Sequence, residues 1–196
     1  MTSTAFEYVK HSMDYDSYKK AFSLKAHAPI GDMTEKEQEM FAYYELNWAR
    51  SIRVEKVYQP SDQALHALQT MKSKQTWIVI TEGWCGDSAQ SLPIIAALAQ
   101  ASEGRIELRI VSRDEYPELL EQYPTNGSMS IPKLIACDIH GNEEWNWGPR
   151  PKKAQELFDE LRAQNAEKQE IYKSLHGFYA KDKGQCIETE IIVHCI

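Results

Sequence analysis

Cys85 stands in Trp84-Cys85-Gly86-Asp87-Ser88, which follows the apolar run Trp77-Ile78-Val79-Ile80-Thr81 after Glu82 and Gly83 and precedes a stretch with helical periodicity. A thiol in the first turn of a helix meets unpaired backbone N–H groups and the positive end of the helix dipole, so its thiolate is stabilised relative to the thiol. The chemistry expected there is attack by sulfur. Gly86 leaves room for a substrate backbone, and Trp84 offers a flat apolar shoulder. Three readings of Asp87 stand open: its carboxylate accepts the proton of Cys85, raises the thiol pKa by repulsion, or merely complements the helix dipole. Ser88 is placed to hydrogen-bond the sulfur or tune its protonation.

The remaining cysteines are Cys137, Cys186 and Cys195. Cys137 falls in an apolar run and reads as a buried structural thiol, whereas Cys186 and Cys195 lie in the tail and would reach Cys85 if that tail folded back. Cys186, His194 and Cys195 match no zinc spacing, so no metal site is expected, and no cofactor. His11, His27, His66, His140 and His176 are scattered and suggest no triad.

The elements that must position these groups follow from pattern. Thr34 and Glu37 have capping-box spacing, and Phe41, Tyr44, Trp48 and Ile52 mark one apolar helix face reaching about Tyr58. An earlier helix is expected around Asp16 to Ala26. Ser61 caps the next, with Leu65, Leu68 and Met71 on its buried side. From Thr76 strands and helices alternate: strand 76–82, helix 86–102, strand 106–111, short helix 115–122. The run 131–137, the turn His140-Gly141-Asn142 and the run 143–147 suggest a hairpin. One long amphipathic helix is expected from Ala154 towards Leu175, and the tail from Cys186 reads equally as strand or helix.

Length and composition bound the function. At 196 residues, 42% hydrophobic and 26% charged, the chain reads as one globular domain with an extension. Its apolar runs fall short of a membrane span, so no membrane partner is expected. The net charge of −7 and the lack of a basic cluster argue against nucleic acid. The stretch from Met1 to Glu7 has no basic region followed by an apolar one, so a cytoplasmic location with reduced cysteines is expected.

Strand, Trp84-Cys85-Gly86, helix with Pro93, strand, short helix, Ile131-Pro132 before a strand, hairpin and final helix together resemble the thioredoxin family over roughly residues 62–165. Family members carry Trp-Cys-Gly-Pro-Cys at the motif and a cis-proline facing the active cysteine. Asp87-Ser88 followed by Ala89-Gln90, with Trp147-Gly148-Pro149-Arg150-Pro151 later, is similar to a bacterial branch with helical N-terminal additions. The resemblance implies an α/β fold with a central mixed sheet flanked by helices. It divides the chain into an N-terminal helical extension (1–60), a thioredoxin-like domain (61–176) and a C-terminal tail (177–196).

It also implies thiol-disulfide exchange, with Cys85 as nucleophile and Pro132 and Gly148 shaping a groove that includes Ile131, Trp147 and Arg150. Arg150 either meets an anionic partner there or is simply solvated, and Trp145 and Trp147 either join the groove or pack the hairpin. Two departures narrow the chemistry. Ser88 stands where the family has its resolving cysteine, and Val79 where many members have a buried acid. The mechanism implied is therefore monothiol, acting on a disulfide-containing protein or a low-molecular-weight thiol and regenerated by an external thiol. The alternative is a thioredoxin scaffold without turnover that binds a protein partner.

Overall fold

Residues 4–31 and 33–196 are described by the structure, a computed structural model. Met1–Ser3, part of the stretch read above for a leader, lie outside them. The centre is a four-stranded mixed sheet of β1 (Gln75–Thr81), β2 (Ile106–Ser112), β3 (Lys133–Cys137) and β4 (Glu143–Trp147) in the order β2-β1-β3-β4. β1 runs parallel to β2 and antiparallel to β3, which forms the expected hairpin with β4. Every residue of β1 is buried, and its alternation divides the core: Trp77 and Val79 enter one hydrophobic cluster, Ile78 and Ile80 the other, which also holds Cys85.

Helices α1 (Tyr15–Ala26), α2 (Glu35–Val57), α3 (Asp62–Gln69), α4 (Gly86–Ala101), α5 (Pro117–Leu120), α6 (Lys152–Ala163), α7 (Lys168–Asp182) and α8 (Gln185–Ile192) surround the sheet. The Thr34–Glu37 capping box forms. The fully buried positions of α2 are Asn47, Ser51 and Val54 rather than Phe41, Tyr44, Trp48 and Ile52, which are half-buried. The helix serves two neighbours. Its aromatic face packs on α1, where Phe22 meets Tyr44 and Trp48, while its polar face meets backbone carbonyls of α4 and the motif. Pro93 lacks the N–H that would bond Ala89 O within α4, and the Ser51 hydroxyl donates to that carbonyl at 3.3 Å.

Several local expectations are corrected. The long helix from Ala154 is two helices, broken where Asn165 takes a left-handed conformation (φ 54°), a stop that asparagine tolerates without glycine or proline nearby. A 3-10 helix, Ala5–His11, is added at the N-terminus, and Met13 then bridges Ile110 on edge strand β2. The tail is helical. Glu188 on α8 accepts from the Tyr58 hydroxyl (2.6 Å) and the Ser61 N–H (3.0 Å), and Glu190 from the Trp147 indole (2.8 Å) and the Lys152 N–H (2.7 Å). These carboxylates thus satisfy donors at the starts of α3 and α6. No helix among the described residues is long and apolar enough to cross a membrane.

Candidate functional site

Cys85 is the N-cap of α4 and donates its S–H to the Ile131 carbonyl at 3.3 Å. The Ile131–Pro132 peptide is cis, so the expected proline conformation is present at the head of β3. Cys85 as a residue is 8% exposed. Burial pushes its pKa up to about 11, and the Asp87 carboxylate pushes the same way. The Ser88 hydroxyl and the N–H groups of Ser88 and Asp87 pull back only in part. A depressed thiol was expected from the helix start. The donors are in place, but desolvation outweighs them. Ser88 is buried, and its Oγ has no partner while Cys85 is protonated.

Asp87 is held from two sides. Arg150 Nη2 lies 2.6 Å from Oδ2, and the Tyr179 hydroxyl donates to Oδ1 at 2.9 Å. Burial raises the Asp87 pKa, against the pull of the Arg150 guanidinium and the Tyr179 hydroxyl. Arg150 is therefore neither solvated nor free for an anionic partner: it also donates to Gln155 at 3.1 Å and lies over the Phe158 ring. Trp147, expected in the groove, is core, with its indole N–H on Glu190. Trp145 stacks on His194 and meets Trp77 edge-on, which is the packing alternative for it. Gly148, expected to shape the groove, does not line the cavity over Cys85 but lies against Pro132. At φ +113° a Cβ there would stand 2.3 Å from Pro132 O, so the exit of β4 closes against the head of β3 only with glycine.

A cavity of about 330 Å³ opens over Cys85. Trp84, Gly86, Asp87, Ile131 and Arg150 line it, as do residues that sequence reasoning missed, Arg50 and Tyr43 of α2 and Lys168, Tyr172 and His176 of α7. Asn47, wholly buried, donates to the Trp84 carbonyl (2.7 Å) and the Gly83 carbonyl (3.3 Å), and accepts from Arg50 Nη1 (2.8 Å). Its signal was Asn47 and Ser51 on one face at i, i+4, polar groups in a helix chosen for its aromatics. His176 carried no local signal. A Cβ on Gly86 would meet its Cε1 at 3.1 Å, so an approach over Gly86 encounters this ring first. Burial, then the charges of Arg50 and Arg53, lower its pKa to about 4, which leaves it neutral at pH 7.

All four cysteines are free thiols. Cys137 pairs with Thr76 at the opposite end of β1 from the motif, roughly 16 Å along β3 from Pro132, beyond disulfide reach of Cys85. Gly184, at the head of α8, sits against Ile94, roughly 12 Å down α4 from the motif, and Cys186 follows it. Cys195 is buried, with its S–H on the Ile191 carbonyl. None of the three lines the cavity over Cys85. Trp84 lies under the Arg113 guanidinium and donates its indole N–H to Asp114 at 3.0 Å.

Solved structures with this architecture include a protein of unknown function from Pseudomonas aeruginosa (17% identical, TM-score 0.55, covering 93% of this chain and 99% of that one) and an HIV epitope scaffold (15% identical, TM-score 0.61, covering 98% and 97%). At those identities the likeness concerns the fold. In sequence, the chain is similar to Thioredoxin 1 of Nostoc sp. (strain PCC 7120), 38% identical over 52 residues. That match takes in 26% of this chain and 46% of the relative, so the chain spans less than half of the relative's length. The sequence profile described as thioredoxin matches residues 33–162, a span that includes α2, the motif and Pro132, and the chain belongs to the thioredoxin family.

Proposed function

We propose that the protein carries out monothiol thiol-disulfide exchange through Cys85. The observation that carries this reading is the setting of the sulfur: it caps α4, faces the Ile131 carbonyl beside Pro132, and has the unpartnered Ser88 hydroxyl and two backbone N–H groups poised for its anionic form. In the reaction, the Cys85 proton passes to the Asp87 carboxylate as the thiolate attacks one sulfur of a disulfide. The S–S bond breaks, one thiol leaves with a proton, and Cys85 remains in a mixed disulfide. An external thiolate then attacks the substrate-derived sulfur and returns Cys85 as thiol. Ser88 cannot resolve the intermediate, which is why an outside thiol is required. Burial makes Asp87 a stronger base than an ordinary carboxylate, which suits it to take the proton.

In the same proposal, 61–176 forms the exchange domain, 1–60 and 177–196 are its extensions, and the protein works in a reducing cytoplasm of a bacterium. A second reading has an observation of its own. With the thiol pKa pushed up to about 11, very little thiolate is present at pH 7, as suits a binding module without turnover.

The test is paired. Removing the Asp87 charge lowers the thiol pKa, so Asp87→Asn should bring the midpoint of Cys85 alkylation down from near 11. If Asp87 accepts the proton, the same variant should slow mixed-disulfide formation at pH 7.5, by about tenfold or more. Rates that rise together with the thiolate fraction would remove Asp87 from proton transfer. No adduct of wild-type Cys85 with any disulfide at pH 7.5 would leave the binding-module reading.

A further inference from the structure

The cavity over Cys85 differs in charge from the rest of the molecule. The chain carries a net charge of −7, yet Asp87 is the one carboxylate among the described residues lining the cavity, against Arg50, Arg113, Arg150 and Lys168. Arg150 neutralises Asp87, which leaves three cations, from α2, the turn after β2 and α7. Arg50 and Lys168 have no carboxylate within salt-bridge distance among the described residues. Arg113 has only an exposed contact with Asp114 at 3.8 Å, too long and wet to occupy it. Arg50 is half-buried, held by the Asn47 side-chain carbonyl, and its pKa is lowered by burial and by the charge of Arg53. A guanidinium kept in that state without an acid is a site for an anion.

The shape adds a limit on size. Cys85 is buried at its base, and side chains of α2 and α7 line it above the motif. About 330 Å³ is at the small end of ligand cavities, which run from roughly 300 to 1,000 Å³. The sulfurs of a folded protein's disulfide, flush with that protein's surface, would have to enter a cavity of that size to reach Cys85.

We infer that the pocket takes a small anionic thiol or its disulfide, with Arg50, Arg113 and Lys168 binding its carboxylates while one of its sulfurs meets Cys85. This rests on the exchange reading for the sulfur and on the cavity alone for the anion. In the exchange step, Cys85 loses its proton and forms a bond to one sulfur of the small disulfide. The other half leaves as an anionic thiol that takes up a proton. A thiol of a different molecule then attacks the small-molecule sulfur of the mixed disulfide, carries it away in a new disulfide and returns Cys85 as thiol, so the small disulfide is the oxidant and that second thiol the reductant.

The experiment compares oxidised glutathione, hydroxyethyl disulfide and cystamine, which are anionic, neutral and cationic, by the rate of Cys85 adduct formation measured by intact mass at low salt. The anionic probe should react about tenfold faster than the neutral one, and the cationic probe slowest. One molar salt should close the gap. Arg50→Gln and Lys168→Gln should each lower the anionic-to-neutral ratio, and Lys168, being exposed, gives a variant that folds. Equal rates for the three small probes, or a surface disulfide of a folded protein reacting as fast as oxidised glutathione, would overturn the inference while leaving exchange intact. Binding of S-methylglutathione to Cys85→Ser, followed by calorimetry, separates the two claims. Salt-sensitive binding without any wild-type adducts would retain the anion pocket and reject exchange, and no binding would reject the pocket.

Discussion

The floor and the walls of the Cys85 cavity are built on opposite principles. The floor, made from the motif, Ile131-Pro132 and Arg150, is buried and charge-compensated: Arg150 and Tyr179 hold Asp87, and the thiol stays protonated. On the walls, Arg50 and Lys168, from α2 and α7, reach solvent and are cations with no acid against them among the described residues. The difference teaches that, in the exchange reading, the floor holds the proton of the sulfur while the walls present charge to whatever approaches it.

If the floor is as tightly compensated as its geometry implies, breaking the Asp87–Arg150 pair should have the largest effect on stability. Both side chains are 12% exposed. Asp87→Ala strands a guanidinium and should cost about 3 kcal/mol in urea unfolding, whereas Asp87→Leu with Arg150→Met should recover much of that. A single variant within about 0.5 kcal/mol of wild type would mean that water already compensates the pair, and the contrast with the walls would fail.

Asn47 joins the two regions and comes next. Asn47→Ala leaves the Gly83 and Trp84 carbonyls without their side-chain donor, and frees Arg50 from its only acceptor among the described residues. The expected loss is about 2 kcal/mol, together with a lower anionic-to-neutral rate ratio. A loss of stability with an unchanged ratio would show that Arg50 does not act at the site.

The pH dependence sharpens the same contrast. His176 titrates near 4 in the folded protein against an ordinary 6.5, so between those values the unfolded chain binds more protons. The stability contributed by neutral His176 is therefore full above pH 6.5 and is lost as pH falls through 4. Cys85 has the opposite sign: its contribution is full below about 9 and is lost as pH rises through about 11. Thermal melts of wild type and His176→Gln should diverge across pH 6.5 to 4, and the variant's melting temperature should change less over that interval. Parallel curves would remove His176 as the source.

How much of this was legible in the sequence depended on whether the cause was local or carried by a family pattern. Trp84-Cys85-Gly86, Pro93 and Ile131-Pro132 follow the family's order, so the fold and the floor could be read through the resemblance although Ile131 lies 46 residues from Cys85. The ionisation of Cys85 could not, because desolvation depends on what packs around the sulfur, and α7, whose Tyr179 is 92 residues from Asp87, comes from far along the chain. Trp147 and Arg150 were read as groove residues from the position of their turn. Glu190 on α8 drew the first into the core and Asp87 drew the second into the floor. The Asn165 break carried no glycine or proline to announce it. In α2 the aromatics drew the reading to the α1 face, although the buried polar pair Asn47 and Ser51 carries the contact with the motif.

The smallest effect expected is also the one that probes the sulfur most directly. The Ser88 hydroxyl is buried and has no partner while Cys85 is protonated, so removing it deletes an unsatisfied group rather than a formed bond. Ser88→Ala should change stability by no more than about 1 kcal/mol, and towards stabilisation. The thiolate loses a donor in the same variant, because the hydroxyl is among the groups that lower the Cys85 pKa. The midpoint of alkylation should therefore move above 11 and exchange at pH 7.5 should slow, although the fold is no weaker. A midpoint that falls, or a variant that loses stability, would mean that Ser88 serves the resting thiol. The floor would then be built for a protonated cysteine alone, and the binding-module reading would gain the weight that exchange lost.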